Sequence, residues 1–213
     1  MANWVFWSPK KKITKEWGRF FGNVFDSTMI FPDHIEKFRS SGNTVFIVPC
    51  TSLGLLSDDI SKAYVRLIPT LPQLFRYAMY SMPFKDRTGR PFMPVGATVL
   101  VKISPIQSVL FCPLMFVKQD IRSTENVYFT MRLAIEHIIK YMKKGEEEVK
   151  VVMVPEMGIE DGEMKVKDSV DQQYKAWVAR DVVLDVYSTN LAIAYSPTVH
   201  HMQPKASKNM NFF

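Results

Sequence analysis

Two segments of the chain carry residues suited to binding an anion at the start of a helix. Residues 47–64 read IVPCTSLGLLSDDISKAY, and residues 151–164 read VVMVPEMGIEDGEM. In each, an apolar run predicts a buried strand, and small, glycine and acidic residues follow it before a helical pattern. Ligands of open α/β sheets collect beyond the carboxyl ends of strands, where the next helix presents unpaired N–H groups. We therefore define residues 51–59 as the first loop and residues 155–162 as the second loop.

Both loops resemble those of the macrodomain family, in the branch where an Asn-Ser-x-Gly loop leads through a Gly-Gly pair into a helix. Ser52 and Gly54 match the first of these motifs. Pro155, Gly158 and Gly162 match the later Pro-x-x-Gly-Thr-Gly-x-Gly loop of the same branch. The resemblance covers about residues 4–180 in the right order and spacing.

A third segment, residues 112–135, adds to this resemblance. It reads CPLMFVKQDIRSTENVYFTMRLAI, which is an apolar strand, a linker similar to the family's Asp-x-Ser-x-Thr-x-Asn-x-Tyr pattern and a long helix. The corresponding linker residues are Asp120, Ser123, Glu125, Asn126 and Tyr128. We expect Asn126 to support the helix N-terminus and Tyr128 to pack against the core.

The resemblance implies a three-layer α/β/α fold with a six- or seven-stranded mixed sheet between helices. It also implies that ADP-ribose or a related nucleotide lies in a cleft at the strand ends, with the two loops around the diphosphate and the adjacent ribose. On this basis the candidate ligand-binding residues are Asp33, Thr51, Ser52, Gly54, Asp58, Asp59, Pro155, Gly158, Ile159, Glu160 and Gly162. Asp33 falls where the family's adenine-reading Asp-Ile pair would lie, but we favour its interpretation as an acid at a helix start.

Three departures from the family pattern indicate a divergent member with degenerate ligand loops. Cys-Thr at residues 50–51 replaces Ala-Asn, Asp-Asp at 58–59 replaces Gly-Gly, and Ile-Glu at 159–160 replaces Thr-Gly, with Asp161 next. A carboxylate 4 Å from a phosphate charge repels it by about 1 kcal/mol in water and more in a shielded site. The Asp-Asp pair instead favours the N-terminus of its own helix, by about 0.3–1 kcal/mol for each acid.

These observations leave two functions open. The function that we predict is binding of ADP-ribose or a related nucleotide, with hydrolysis of ADP-ribosyl derivatives ranked below binding. The alternative is a degenerate macrodomain that acts as a non-catalytic protein-interaction or structural module. Neither a Gly-x-Ser-x-Gly motif nor a Walker-type Gly-Lys-Ser/Thr motif occurs in the sequence, and we identify no catalytic residue. We expect no cofactor and no resident metal; the alternative is Mg²⁺ held by loop carboxylates together with phosphate oxygens.

Apolar periodicity supplies the elements that position the loops. Strands are predicted at residues 4–7, 44–48, 98–103, 108–111 and 149–154, with two weaker ones at 182–186 and 190–195. Helices are predicted around Trp17 to Phe21 and at residues 60–67, 73–80, 124–143 and 169–179. In the long helix, Ser123 or Thr124 is the expected cap. Alternation of strands and helices favours helices on both faces of the sheet, and residues 81–97 are predicted to be a loop.

Length and composition set the remaining expectations. A chain of 213 residues with 47% hydrophobic content suits one core, and we predict a domain over residues 1–180 with an extension or tail over 181–213. Cys50 and Cys112 lie in apolar segments, which is typical of buried free thiols in a reducing compartment. With no 18-residue apolar run and no secretory-type start, we expect a cytoplasmic or nuclear protein without a membrane anchor.

The net charge of +6 is modest. Part of it lies in a basic run, Lys10 to Lys15, which we interpret as a solvated helix face, and we expect no nucleic-acid partner through it. The 13 methionines and the terminal Phe212 and Phe213 are the features that favour a protein partner.

Overall fold

The computed structural model describes residues 2–21, 28–31, 33–39, 42–143 and 148–181. Its elements in chain order are β1 (Asn3–Trp7), α1 (Lys11–Phe21), β2 (Thr28–Phe31), β3 (Thr44–Thr51), α2 (Asp59–Leu67), α3 (Leu71–Ser81), β4 (Val99–Ser104), β5 (Gln107–Met115), α4 (Asn126–Lys143), β6 (Val151–Pro155) and α5 (Val166–Val178). Short 3-10 turns lie at Ile35–Lys37 and Ala179–Asp181. None of the helices described here is both long and apolar enough to cross a membrane.

The strands form one six-stranded sheet in the order β2-β1-β6-β3-β5-β4. Strands β2, β1, β6, β3 and β5 pair in parallel, and β4 pairs antiparallel with β5. One face packs against α1, α4 and α5, and the other against α2 and α3. The predicted α/β class with a mixed sheet between two helical layers is therefore confirmed.

Alternating side chains divide each central strand between the two faces. In β1, Trp4 and Phe6 join the cluster under α1, α4 and α5, while Val5 and Trp7 join the cluster under α2 and α3. This is the period of two that an extended strand requires. Trp7 also donates a hydrogen bond from Nε1 to Tyr64 Oη at 3.0 Å, so the buried indole is satisfied by α2.

The long helix matches its prediction closely. Thr124 Oγ1 accepts a hydrogen bond from the N–H of Asn126, the first residue of α4, at 3.3 Å. Asn126 Nδ2 donates to the Leu114 carbonyl at 2.8 Å, and Tyr128 packs partly buried against the core. The apolar residues that recur every three or four positions along this helix are buried: Val127, Met131, Ile135 and Ile138.

Strand β3 extends beyond its predicted end at Val48 and runs through Pro49 to Thr51. Its pairing with β6 covers only Thr44–Phe46, whereas its pairing with β5 continues to Thr51. Pro49 therefore lies where β3 has one neighbour, a position at which the missing N–H of proline is tolerated. Beyond Phe46, β3 no longer pairs with β6, and the two strands separate toward their carboxyl ends.

Strand β2 is not predicted from the sequence. This strand is only four residues long, TMIF, and pairs with β1 alone at the sheet edge, so it offers no alternating pattern to detect. Residues 81–97 are a loop as predicted, apart from an isolated bridge between Lys85 and Pro91. The strands predicted at 182–186 and 190–195 lie outside the described residues, and the division into 1–180 and 181–213 stays a prediction.

Gln173 provides a test of how α1 and α5 are tied to the sheet. It accepts a hydrogen bond from Trp17 Nε1 at 3.1 Å and donates one to the Pro155 carbonyl at 2.9 Å, all in the core. Gln173→Leu leaves both groups buried without a partner, so we expect the free energy of unfolding to fall by about 2–5 kcal/mol. Urea unfolding measures this; Lys167→Leu, at an exposed position of the same helix, is the control, and equal losses in both variants would refute the prediction.

Candidate functional site

The carboxyl ends of three parallel strands meet at one edge of the sheet. Strand β1 leads into Ser8–Lys10, β3 into the first loop, and β6 into the second loop. The two loops predicted from sequence are therefore neighbours, as their positions after parallel strands require. Because β3 and β6 part beyond Phe46, the loops flank the crevice in which a ligand of such a sheet would lie.

The start of α2 is occupied by carboxylates from both loops. Asp58 is the N-cap, and its side chain accepts a hydrogen bond from the Ser61 N–H at 2.5 Å. Glu160 reaches across from the second loop and accepts the Asp59 N–H at 2.8 Å. The prediction that the Asp-Asp pair serves its own helix is confirmed for Asp58, and a second-loop carboxylate takes a further N–H that would serve a phosphate.

The ammonium group of Lys10 lies among three carboxylates, those of Asp59, Glu156 and Glu160. Its ammonium group donates to Glu156 Oε1 at 2.9 Å, contacts the Glu160 carboxylate, and lies 3.8 Å from Asp59 Oδ2. Ser8 Oγ donates to the other oxygen of Glu156 at 2.5 Å. Only 3% of the Glu156 side chain is exposed, so its charge depends on these two donors. We call these five residues the Lys10 cluster.

Burial and hydrogen bonding act against each other on the pKa values in the cluster. Burial raises the pKa of Glu156, and the hydrogen bonds from Ser8 and Lys10 only partly offset it. Burial also raises the pKa of Glu160, but the donors Lys10 and Asp59 outweigh it, and the pKa falls below its usual value. Burial lowers the pKa of Lys10, yet its bonds to Glu160 and Glu156 raise the net pKa well above 10.5. Lys10 is thus a permanent cation at neutral pH.

A second connection lies on the other side of the crevice. Ser57 Oγ, in the first loop, donates to Asp161 Oδ2 at 2.7 Å, and Lys118, after β5, pairs with Asp161 Oδ1 at 3.0 Å. Burial raises the pKa of Asp58 nearby, against the hydrogen bond from Ser61, and the charges of Asp161 and Glu160 add to the rise. Two hydrogen bonds, Asp59 to Glu160 and Ser57 to Asp161, thus join the two loops.

Little space remains between the joined loops. A cavity of about 10 Å³ lies there, with polar walls from Thr51, Asp58 and Asp161 and an apolar wall that includes Leu55 and Met115. This volume holds about one water molecule. Small-molecule sites typically enclose about 300–1,000 Å³, so the space between the loops is smaller than a typical ligand cavity.

The glycines of both loops have structural explanations. Gly54 has φ +77°, and a Cβ there would lie 2.3 Å from the Phe75 ring. Gly158 has φ +69°, and a Cβ on Gly162 would lie 2.6 Å from the Gly158 carbonyl oxygen. Only glycine adopts these conformations and approaches without strain. Their presence therefore does not require a phosphate.

The remaining first-loop candidates are held by the protein itself. Thr51 Oγ1 accepts the Leu55 N–H at 3.0 Å. The Ser52 backbone donates to the Met115 carbonyl at 2.8 Å and accepts from the Met93 N–H at 3.0 Å, while its buried hydroxyl has no hydrogen-bond partner within the described residues. These contacts fix the loop path.

Ile159 and Pro155, from the second loop, face the protein interior. Ile159 packs against the core beneath α4 and α5, and Pro155 ends β6. Asp33 makes local contacts, accepting the His34 N–H at 2.7 Å and pairing with Lys37 at 2.9 Å before the 3-10 turn. Asp33 thus lies one residue before His34, the N-cap of this turn, and no side-chain hydrogen bond caps the turn.

Sequence reasoning missed the residues that close the cleft. The basic run predicts a solvated helix face for Lys10, but Lys10 lies before α1 and its side chain is only 34% exposed; Lys11 and Lys12 are exposed as expected. Ser8, Glu156 and Lys118 are not among the predicted site residues. The available signal was position, because each follows a parallel strand at the edge where the loops meet.

Both cysteines are buried free thiols, as predicted. Burial raises the pKa of Cys50 and of Cys112, which makes neither an activated nucleophile. Within the described ranges, no group of three or more His, Cys, Asp or Glu side chains is arranged to hold a metal ion.

No protein-family model and no curated protein matches the sequence. Three solved structures align with it: the macrodomain of Mycobacterium tuberculosis DarG (13% identity, 66% of this chain and 84% of that one, TM-score 0.46), a macrodomain protein from Streptomyces coelicolor (15%, 58% and 94%, 0.41) and a protein from Bacteroides thetaiotaomicron (10%, 73% and 99%, 0.39).

Removing the cation should destabilise the closed cleft. Lys10→Met leaves the buried Glu156 carboxylate with Ser8 alone, and we expect the free energy of unfolding to fall by about 1–3 kcal/mol. Adding Glu156→Gln removes the uncompensated charge and recovers part of this loss. Urea unfolding of the single and double variants measures both effects. The control, Lys12→Met, changes an exposed lysine of the same run; a similar loss there would contradict the prediction.

Alkaline pH should remove the same stabilisation. The folded-state pKa of Lys10 lies above 10.5, so its contribution is fully present below pH 10.5 and is lost as the pH rises through the folded-state pKa. Within that window the unfolded chain binds fewer protons than the folded one. The free energy of unfolding of the wild type therefore falls more steeply with pH than that of Lys10→Met. Urea titrations of both proteins across this range check the prediction, and parallel curves would count against it.

Proposed function

We propose that this chain is a degenerate macrodomain-like protein that acts as a non-catalytic interaction or structural module, with its nucleotide cleft closed by its own side chains. The observation that carries the proposal is the position of Glu160. Its carboxylate takes the Asp59 N–H at the start of α2 and is held there by Lys10. In the family that the loops resemble, this is the region of the diphosphate.

Binding of a diphosphate between the loops would require several hydrogen bonds to break at once. Glu160 must leave the Asp59 N–H, and the bond between Ser57 and Asp161 must open to widen the crevice. The displaced carboxylates then lie beside a ligand of the same charge, which costs about 1 kcal/mol for each close pair in water and about 4 kcal/mol at an intermediate dielectric. These terms all favour the closed form.

Binding of ADP-ribose or a related nucleotide is the second candidate, and one feature favours it. Lys10 lies at the crevice with a partly exposed ammonium group, and it becomes available to a phosphate whenever Glu160 moves away. Hydrolysis of ADP-ribosyl derivatives ranks below binding. The buried Cys50, whose pKa is raised by burial, is not a ready nucleophile.

Calorimetric titration with ADP-ribose, with and without Mg²⁺, separates the two candidates. We expect no heat of binding with the wild type. Asp59→Gly/Glu160→Gly removes two carboxylates and returns glycine to both loops, and we expect it to gain affinity by at least about tenfold, since about 1.4 kcal/mol is relieved. Glu163→Gly, which removes an exposed acid next to the second loop, is the matched control and should show no heat of ADP-ribose binding.

Micromolar binding by the wild type that is lost in the double glycine variant would overturn the proposal and establish the nucleotide function. Binding by the double glycine variant alone supports the closed cleft. Failure of all proteins to bind, with circular dichroism showing that each is folded, would contradict the assignment of Asp59 and Glu160 as the groups that exclude a diphosphate.

A further inference from the structure

A short hairpin projects beside the first loop. Residues 84–92, here named the cationic hairpin, form a tight turn in which the Asp86 N–H donates to the Arg90 carbonyl and the Gly89 N–H donates to the Asp86 carbonyl, both at 2.9 Å. Gly89 has φ +81°, as a three-residue hairpin loop requires. The backbone of the turn therefore has a defined shape.

The outer surface of this hairpin is positive. Lys85, Arg87 and Arg90 are exposed there. Asp86, the one acid of the hairpin, turns its carboxylate onto the backbone and accepts the N–H groups of Thr88 at 2.8 Å and Arg90 at 3.0 Å. The hairpin thus carries three exposed cations and one acid.

Aromatic rings connect the hairpin to the end of β5. The Phe84 and Phe92 rings lie 5.8 Å apart, and the Phe92 and Phe116 rings 5.7 Å apart. Phe116 remains 40% exposed. The hairpin base is fixed to the first loop by the bond from the Met93 N–H to the Ser52 carbonyl at 3.0 Å. Alternation along the hairpin places Arg90, two residues before Phe92, on the face of the Phe84–Phe92 pair, and Lys85 on the other face. Arg90 therefore shares a side with the rings that lead to Phe116.

We propose that the cationic hairpin and Phe116 bind single-stranded nucleic acid without strong sequence preference. Each nucleotide offers a phosphate to the cations and a base face to the ring, and this pairing of charge and stacking is the usual basis of single-strand binding. An acidic peptide would satisfy the cations but has no base to stack on Phe116. The surface differs from the Lys10 to Lys15 run and lies outside the crevice, so the proposal does not depend on ADP-ribose.

Fluorescence anisotropy with labelled oligo-dT and oligo-rU of about 16 nucleotides tests the proposal across a salt series. Arg87→Ala/Arg90→Ala should weaken binding by about tenfold or more, and should lower the slope of log affinity against log salt by about 0.7 for each phosphate that the variant no longer neutralises. Phe116→Ala should weaken binding by about tenfold and leave the slope unchanged.

The matched control is Lys11→Ala/Lys12→Ala, which removes the same charge from the exposed start of α1 and should retain wild-type affinity. All variants change exposed side chains, and circular dichroism verifies their folding. Absence of binding by the wild type at low salt would overturn the proposal, as would an equal loss in the lysine control. If polyglutamate of matched charge displaces the oligonucleotide and Phe116→Ala leaves the affinity unchanged, the proposal is overturned in favour of an acidic protein partner.

Discussion

The first turn of α2 presents N–H groups that have no partner within the helix, and the rest of the cleft is arranged around satisfying them. Asp58 takes one from its own loop, and Glu160 takes another from across the crevice. Once Glu160 lies there, a cation is needed nearby, and Lys10 supplies it from the end of β1. Glu156 then accepts a hydrogen bond from the Lys10 ammonium group, and Ser8 donates to the same carboxylate, so Lys10 is held in position. A single electrostatic requirement at one helix end thus explains the contacts among three separate chain segments.

The shape of the sheet makes this closure feasible. Strands β3 and β6 pair only at their beginnings and then separate, which creates a crevice between the loops that follow them. In the described structure that crevice is narrow enough for short side chains such as Ser57 and Asp161 to meet across it. The glycines at 54, 158 and 162 let each loop pack closely against its own neighbours, Phe75 for the first loop and Ile121 for the second. They are consistent with a nucleotide site, but packing alone requires them here.

The sequence was sufficient for what depends on local pattern. Periodicity predicted α4 with its buried face, and alternation of strands and helices predicted the layers. The cap at Asp58 followed from residue type and position. Lys10 could not be recognised in the same way, because its role depends on which strands become neighbours, and that is set by the whole sheet. Strand β2 was missed for a related reason, since only its pairing with β1 defines it.

Closure of the cleft would also lower the apparent affinity for any nucleotide. A ligand that binds only the open form has its apparent affinity reduced by the fraction of protein that is open. If opening costs about 3 kcal/mol, which is the scale of losing one buried ion pair, less than about 1% of the molecules are open and affinity falls more than about a hundredfold. The contacts within the Lys10 cluster, three of whose members belong to the two loops, would therefore lower the apparent affinity by stabilising the closed form. The same linkage runs in reverse, because any partner that draws Glu160 or Lys10 outward would raise nucleotide affinity by the free energy that it contributes to opening.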